Sequence, residues 1–256
     1  AFGGSQRFRS RLYYDTAFDF PATGEWRGVE LRLLSTARNG HKLMLGLEYQ
    51  DNLRMEQEIR DLTDPANDLL IASSGHRAGL HVQDEWRIAD TLTATLGLRL
   101  DRSNIAGIRT SPRAALIWQA TAATTLKALY GRAHRSPNAY ERDYDDGFAQ
   151  VSNPALSGES VQTLELVVDH RLAADLRLRG AVYQWTMRDL ITLGLDPVTE
   201  LPQYQSGSGV KARGLELSAD KTWHWGGRLR GSLSLQDVRD AEGVTLVNAP
   251  QRLGKL

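Results

Sequence analysis

Residues 91–101, TLTATLGLRLD, alternate between apolar and polar side chains. Leu92, Leu96 and Leu98 fall on one side of an extended chain, and Arg99 falls on the other. Successive side chains of a β-strand point to opposite faces, so this pattern predicts a strand with one apolar and one wet face. The apolar face must meet either a protein core or lipid.

The same alternation recurs along most of the chain. The segments that show it are 7–20 (with Phe8, Leu12, Tyr14, Phe18 and Phe20 on one side), 27–35, 41–50, 80–88, 164–169, 215–220 and 228–236. Weaker versions occur in 110–119, 123–134 and 174–190. Together these segments predict an all-β fold of about eleven strands.

The connections between these segments alternate between short and long. The short ones are 38–40, 89–90, 120–122, 172–174 and 222–227, and the longer ones are 21–25, 58–74, 104–110, 134–159, 190–203 and 239–249. In an antiparallel sheet this arrangement places the tight turns at one rim and the longer loops at the other, as in outer-membrane barrels. Trp86, Trp118, Trp223 and Trp225 fall near the tight-turn rim, where an aromatic girdle is expected, and Trp26 falls near the opposite rim.

Strand length favours lipid over a protein core. Eleven residues at about 3.4 Å each, tilted by about 45°, span about 26 Å, which matches the apolar band of about 25 Å in a membrane barrel. Strands of globular proteins are about half as long. We therefore expect an antiparallel transmembrane β-barrel segment, with a soluble β-sandwich as the alternative. The residues expected to face lipid include Leu92, Leu96, Leu98, Leu229, Leu233 and Leu235, and those expected to face the lumen include Arg99, Arg228 and Arg230.

Composition narrows the possible partners. The 31 basic and 31 acidic residues cancel, so the chain lacks the basic excess typical of nucleic-acid binding. Cysteine is absent, which excludes disulfides and thiolate metal sites. No apolar run reaches the roughly 18 residues of a spanning helix, whereas the mean hydropathy of -0.40 is compatible with spanning strands.

Two adjoining stretches carry a family resemblance. LYGRAHRSPNAYERDY at 129–144 and NPALSGESVQTLELVVDHRL at 153–172 resemble the TonB-dependent outer-membrane receptors, which carry a G-x-A-x-R-x-P-N-x-Y-E stretch followed by N-P-x-L-x-x-E and a T-x-E strand. SPRAALIW at 111–118, GLELSADK at 214–221 and NAPQRLGKL at 248–256 are further similarities, so the resemblance extends over essentially the whole chain.

The resemblance implies a 22-stranded barrel in the outer membrane of a Gram-negative bacterium, enclosing a plug and importing a scarce nutrient with energy from the TonB complex. A ferric siderophore is the cargo it favours; cobalamin, other metal chelates and oligosaccharides are alternatives. The sequence departs from the family plan because it contains neither a plug nor the final strands and C-terminal aromatic residue. We therefore expect residues 1–256 to be a partial barrel domain, with TonB coupling through a plug outside this chain. A passive porin-like barrel and a soluble β-rich domain remain the rivals.

The sequence offers little for catalysis or metal binding. Its six histidines are scattered without ligand spacing, and it contains no nucleophile-elbow, Walker or dinucleotide motif. The acidic stretch DYDDG at 143–147 lacks the twelve-residue loop and terminal glutamate of an EF-hand. We therefore expect no enzyme activity, no cofactor and no metal site.

The stretch RSPNAYE at 135–141 has two interpretations. In the structural one, Pro137 ends a strand, Asn138 favours a turn and Tyr140 anchors the rim. In the functional one, this stretch and Tyr144 supply guanidinium, amide and phenol groups that bind an anionic, oxygen-rich chelate in an outer vestibule. The candidate ligand-binding residues are Arg135, Asn138, Tyr140 and Tyr144, with lumen-facing Arg99 and Arg113 adding positive potential below them.

Overall fold

The computed structural model describes residues 1–13, 16–147 and 149–256, and these are almost entirely β-strand. The strands are β1 (Phe2–Tyr13), β2 (Ala17–Ser35), β3 (His41–Asp61), β4 (Leu69–Ala89), β5 (Leu92–Ser103), β6 (Gly107–Thr121), β7 (Thr124–Arg135), β8 (Glu159–Ala173), β9 (Leu176–Arg188), β10 (Ile191–Leu195), β11 (Pro202–Ser206), β12 (Val210–Thr222), β13 (Arg228–Arg239) and β14 (Arg252–Lys255). Helix is limited to a 3-10 turn, Pro65–Asn67, and one short helix, α1 (Ala139–Asp143). The predicted all-β class is confirmed.

In the described residues, twelve strands form one antiparallel sheet in the order β1 to β9, then β12, β13 and β14. Eleven of them have 12 residues or more, which agrees with the predicted number, and β14 is a four-residue addition. The hairpin β10–β11 forms a separate two-stranded sheet in an outer loop. Within the described range, β1 and β14 each pair with one neighbour and not with each other, so the sheet is open, as expected for a barrel segment.

The two faces of the sheet differ as the alternation predicts. Leu96 and Leu98 are 60% and 48% exposed, on the face that also carries Val82. On the opposite face Val167 and Ala181 are buried although they are small, because side chains converge on the concave side of a curved sheet. The leucines therefore form a convex apolar surface suited to lipid, and the ion pairs of the central strands, such as Arg99–Glu48 and Lys127–Asp169, line the lumen. Among the described residues, no helix is long and apolar enough to cross a membrane.

The start of the chain differs from the sequence-based prediction. A single strand was expected over 7–20 and a loop over 21–25, but β1 ends at Tyr13 and β2 runs unbroken from Ala17 to Ser35. Pro21 lies inside β2, where the ladder to β3 skips residues 20 and 21 because proline has no N–H to donate. Tyr14 and Asp15, which belonged to the predicted strand, lie outside the described residues.

The outer ends of the first strands carry their apolar residues on the lumen side. The β1–β2 register is continuous, so Phe18 and Phe20 share a face with Gly28 and Glu30, opposite the lipid-facing Val29. Phe8 and Leu12 lie on that same face of β1. The outward face there is charged: Asp19 is only 2% exposed because it is covered by Arg9 and Arg11.

Strand β3 contains one extra residue, Leu53, which has no partner on β2. This bulge reverses the two faces of β3 beyond it, so that the outer end of β3 matches the outer end of β2. Beyond Leu53, Met55 and Ile59 turn to the lumen side, while Arg54 and Glu56 form an ion pair on the outside. The first strands therefore extend above the expected apolar band with a wet exterior and an apolar interior.

The tight-turn rim carries the predicted tryptophans. Trp86 and Trp118 are both largely exposed, near the turn that joins β4 to β5 and the end of β6 respectively. Trp223 and Trp225 stack with ring centroids 5.8 Å apart in the turn between β12 and β13. Trp86, Trp118 and Trp225 thus expose their indole rings at the predicted rim, an arrangement typical of a membrane interface.

Candidate ligand-binding site

Helix α1 follows Pro137 directly after β7 and is organised by a capping box. The Asn138 side chain accepts a hydrogen bond from the Glu141 backbone N–H at 2.8 Å, and the Glu141 carboxylate accepts one from the Asn138 N–H at 2.9 Å. Two of the N–H groups that the first turn would leave unpaired are thereby satisfied. Five residues of α1 are held in place although the helix is too short to be stable by itself.

Arg135 anchors α1 to the sheet. Its two terminal nitrogens donate to the Glu141 carboxylate at 2.8 and 3.1 Å, and its Nε donates to Glu159 on β8 at 2.8 Å. These hydrogen bonds raise the pKa of Arg135. Burial raises the pKa of Glu141, but the Arg135 hydrogen bonds, the Asn138 backbone N–H and the Arg135 charge together outweigh that effect and lower it overall. The guanidinium is thus already occupied by two carboxylates of the chain.

Three tyrosines form a cluster beside α1. The Tyr140 ring lies 4.7 Å from that of Tyr144 and 6.0 Å from that of Tyr204 on β11, measured between centroids. The loop after α1 binds the same hairpin, since the Asn153 amide donates to the Tyr204 carbonyl at 2.8 Å. Leu156 is 3% exposed beneath this contact. The described parts of loop 136–158 therefore pack against the β10–β11 hairpin.

A cavity of about 640 Å³ separates α1 from the lumen face of the first strands. Asn138 and Tyr140 line one side, and Phe8, Ala22 and Met55 line the other. Its volume falls in the range of small-molecule sites, and its lining combines apolar surfaces with a few polar groups. Sequence reasoning identified Asn138 and Tyr140 but missed Phe8, Met55 and Tyr204.

Tyr140 is equipped to donate a hydrogen bond. Burial raises the pKa of its phenol, and the nearby Tyr204 and Asp146 raise it further. The hydroxyl consequently stays protonated at neutral pH. A ring that is 41% exposed can cover an apolar part of a ligand while its O–H binds an oxygen atom.

The two predicted lumen arginines lie apart from this cavity. Arg99 donates to Asp101 at 2.8 Å and to Glu48 at 3.0 Å. Arg113 lies over Gly97, whose Cβ, if present, would be 2.7 Å from the Arg113 Nε atom. Both line a second cavity deeper in the lumen, so the six predicted residues divide into an outer group of four and an inner pair.

The acidic loop after α1 uses its carboxylates internally. Asp145 accepts from the Ser152 backbone and hydroxyl at 3.1 and 2.9 Å, and Asp146 accepts from two backbone N–H groups at 2.7 and 2.9 Å. Asp143 pairs with Arg142 at 2.6 Å. Within the described ranges there is no group of three or more potential metal ligands.

These features define a class of protein: the wall of a membrane barrel with an apolar exterior, a charged lumen and an ordered outer loop. The TonB dependent receptor-like, beta-barrel family matches residues 2–256, and the chain belongs to that family. Members of the family are outer-membrane receptors and transporters of Gram-negative bacteria and are not enzymes.

Solved structures share the fold at low sequence identity. The siderophore receptor PirA from Pseudomonas aeruginosa is 18% identical, with a TM-score of 0.67 over 91% of this chain and 47% of that one. The FrpB iron transporter from Neisseria meningitidis is 17% identical, with a TM-score of 0.63 over 94% and 44%. The copper transporter OprC is 17% identical, with a TM-score of 0.71 over 90% and 39%. This chain thus spans less than half the length of each, and a comparison with curated proteins gives no match.

Proposed function

We propose that this chain is part of an outer-membrane TonB-dependent receptor that takes up a small metal chelate, with a ferric siderophore as the favoured cargo. The observation that carries the proposal is the 640 Å³ outer cavity between α1 and a wall of β1–β3 in which Phe8 and Met55 lie among polar residues. Siderophore and iron transport are named for two of the structural relatives and copper transport for a third, which supports a metal-containing cargo.

The cavity suits a chelate whose edges are polar and whose faces are apolar. The Tyr140 hydroxyl and the Asn138 amide can bind ligand oxygens, and Phe8 and Met55 can cover carbon-rich surfaces. Tyr144 supports the Tyr140 ring through a tilted ring contact. Because two carboxylates occupy Arg135, its proposed contribution is to hold α1 against β8 and to leave a positive edge toward an anionic ligand.

We further propose that residues 1–256 belong to the barrel domain and that a plug elsewhere in the protein couples transport to TonB. An open twelve-stranded sheet leaves backbone N–H and C=O groups unpaired at β1 and β14. Such groups are costly in hydrocarbon, so the sheet requires further strands to close in a membrane.

Chelate binding to whole cells tests the outer cavity. The double variant Arg135→Ala with Tyr140→Ala should bind a radioiron-loaded siderophore at least tenfold more weakly, because it loses the Tyr140 contact, which contributes about 1–3 kcal/mol, and the ion pairs that hold α1 beside the cavity. Tyr49→Ala is the matched control, since Tyr49 is similarly exposed but stacks with His76 on the other face of the sheet. Equal affinity of both variants and the parent protein would contradict the proposed site.

Energy dependence tests the transport mechanism. Deletion of tonB should abolish uptake of the chelate while leaving its binding at the cell surface intact. Uptake that continues without TonB, proportional to outside concentration, would instead indicate the passive porin-like barrel. Recovery of the protein as a monodisperse species in detergent-free buffer would indicate the soluble β-rich domain.

A further inference from the structure

An apolar groove of about 420 Å³ lies on the lipid-facing side of strands β2 to β5. Ala78 on β4 lines it and has a shorter side chain than the residues around it, which leaves the groove open above its methyl group. Ala78 lies opposite Arg102 on β5, and both share the outward face with Leu98 because a strand alternates its side chains with a period of two. The apolar side chains around Ala78 are Val29, Leu31, Leu47, Leu80 and Leu100.

Arg102 lies at the outer end of the groove. It is ten residues beyond Leu92, which begins β5 at the tight-turn rim. At about 3.4 Å per residue and a tilt of about 45°, ten residues rise about 24 Å, which is the outer edge of an apolar band of about 25 Å. The guanidinium group is therefore at the level of lipid headgroups, with its aliphatic stem along the apolar groove.

The charge of Arg102 is not balanced by the sheet. Its neighbours across the ladder are Ala78 on β4 and Ile108 on β6, and neither is charged. Among the described residues, no carboxylate oxygen lies within 4.0 Å of its guanidinium group. An exposed cation at the headgroup level thus lies directly beside an apolar groove.

Two other arginines on the outward face differ in this respect. Arg27 on β2 lies opposite Asp51 on β3, with 3.3 Å between the nearest nitrogen and oxygen atoms. Arg213 on β12 lies opposite Asp237 on β13 at the same distance. The pairing at these positions makes Arg102 the better candidate for an anion from the membrane.

The position of the groove makes lipid its natural occupant. Strands β2 to β5 each have a neighbouring strand on both sides, so further strands next to β1 or β14 would not cover them. The groove opens away from the lumen, so a plug inside the barrel would not fill it either. Hydrocarbon chains and headgroups are the groups that meet this face in a membrane.

We propose that this groove holds one acyl chain of an anionic, phosphate-bearing lipid of the outer leaflet, with the lipid phosphate on Arg102. A guanidinium group binds phosphate oxygens through paired N–H donors, and basic groups at the membrane surface select anionic headgroups. The groove orders the chain by van der Waals contact, and its volume suits one chain segment. The inference goes beyond the proposed function, because a lipid on the outside can bind whether or not the outer cavity binds a chelate.

Native mass spectrometry of the intact receptor, purified in detergent and stripped of lipid, tests this site. The probes are dipalmitoyl phosphatidylglycerol, dipalmitoyl phosphatidylcholine, dihexanoyl phosphatidylglycerol and inorganic phosphate. The parent protein should bind the long-chain phosphatidylglycerol most tightly, because it alone offers both an uncompensated phosphate charge and a chain that fills the groove. Heat-dependent gel mobility verifies that each variant is folded.

Two variants separate the charge from the groove. Arg102→Gln should bind the long-chain phosphatidylglycerol about tenfold more weakly or worse and leave phosphatidylcholine binding unchanged, whereas Arg102→Lys should retain most of the affinity. Ala78→Leu should fill the groove and weaken binding of the long-chain phosphatidylglycerol although Arg102 is intact. Arg213→Gln is the matched control and should bind as the parent does, because Arg213 faces outward but is already paired.

Four outcomes would overturn the proposal. They are equal binding of the two dipalmitoyl lipids by the parent, unchanged binding in Arg102→Gln, an equal loss in Arg213→Gln, and binding of the short-chain lipid or inorganic phosphate as tight as that of the long-chain lipid. Tyr140→Ala should retain lipid binding even if it no longer binds a chelate, so failure of this proposal is distinguishable from failure of the proposed function.

Discussion

The division of the sheet into a lipid face and a lumen face predicts very different costs for the same substitution at neighbouring positions. Leu98 lies six residues above Leu92 at the tight-turn end of β5. At about 3.4 Å per residue and a tilt of about 45°, it stands about 14 Å into an apolar band of about 25 Å, close to the bilayer midplane. Arginine at that depth on the lipid face costs about 2–4 kcal/mol.

Leu98→Arg should therefore shift the folding equilibrium of the intact receptor in bilayers by roughly 30- to 900-fold toward the unfolded state. The measurement is the folded fraction across a urea series, read from heat-dependent gel mobility. Thr95→Arg is the matched control, because Thr95 faces the lumen directly opposite Glu85 and a cation there can pair with the carboxylate. Equal effects at the two positions would refute the assignment of faces.

Three further predictions concern local structure. Asn138→Ala should remove the cap of α1, cost about 1 kcal/mol locally and speed proteolysis of the outer loop on intact cells, whereas Asn138→Asp should preserve it. Hydrogen bonds from the Asn67 amide and two backbone N–H groups lower the pKa of Asp61 below its usual 3.8. Loop 62–68 should therefore be ordered above about pH 4 and lose that order as the pH falls through the lowered pKa. Amide exchange should show this loss, and Asp61→Asn should remove the pH dependence. Gly28→Ala should destabilise the protein by about 1–3 kcal/mol in the same urea series, because its Cβ would lie 2.6 Å from a backbone oxygen of β3, whereas Gly231→Ala, with open space around it, should have little effect.

The central strands could be predicted because each carries its own local signal. In β5 the alternation of leucine with polar residues defines both the strand and its two faces, and the turn at 90–91 separates it from β4. The outer cavity could not be predicted in the same way. Phe8 and Tyr140 lie 132 positions apart in the sequence, and they face each other only because the six intervening strands, β2 to β7, curve the sheet.

The reversal of faces in β2 shows what alternation determines and what it leaves open. A period of two establishes which residues share a face, but the surroundings determine which face is apolar. Between Val29 and Leu33 the outside is expected to meet hydrocarbon, so the odd positions are apolar. Farther out the same outward face meets water, and odd positions such as Asp19 and Glu25 are charged while Phe18 and Phe20 turn inward. Because the β1–β2 register has no break there, the change in phase between 26 and 29 marks the outer boundary of the apolar band rather than the end of a strand.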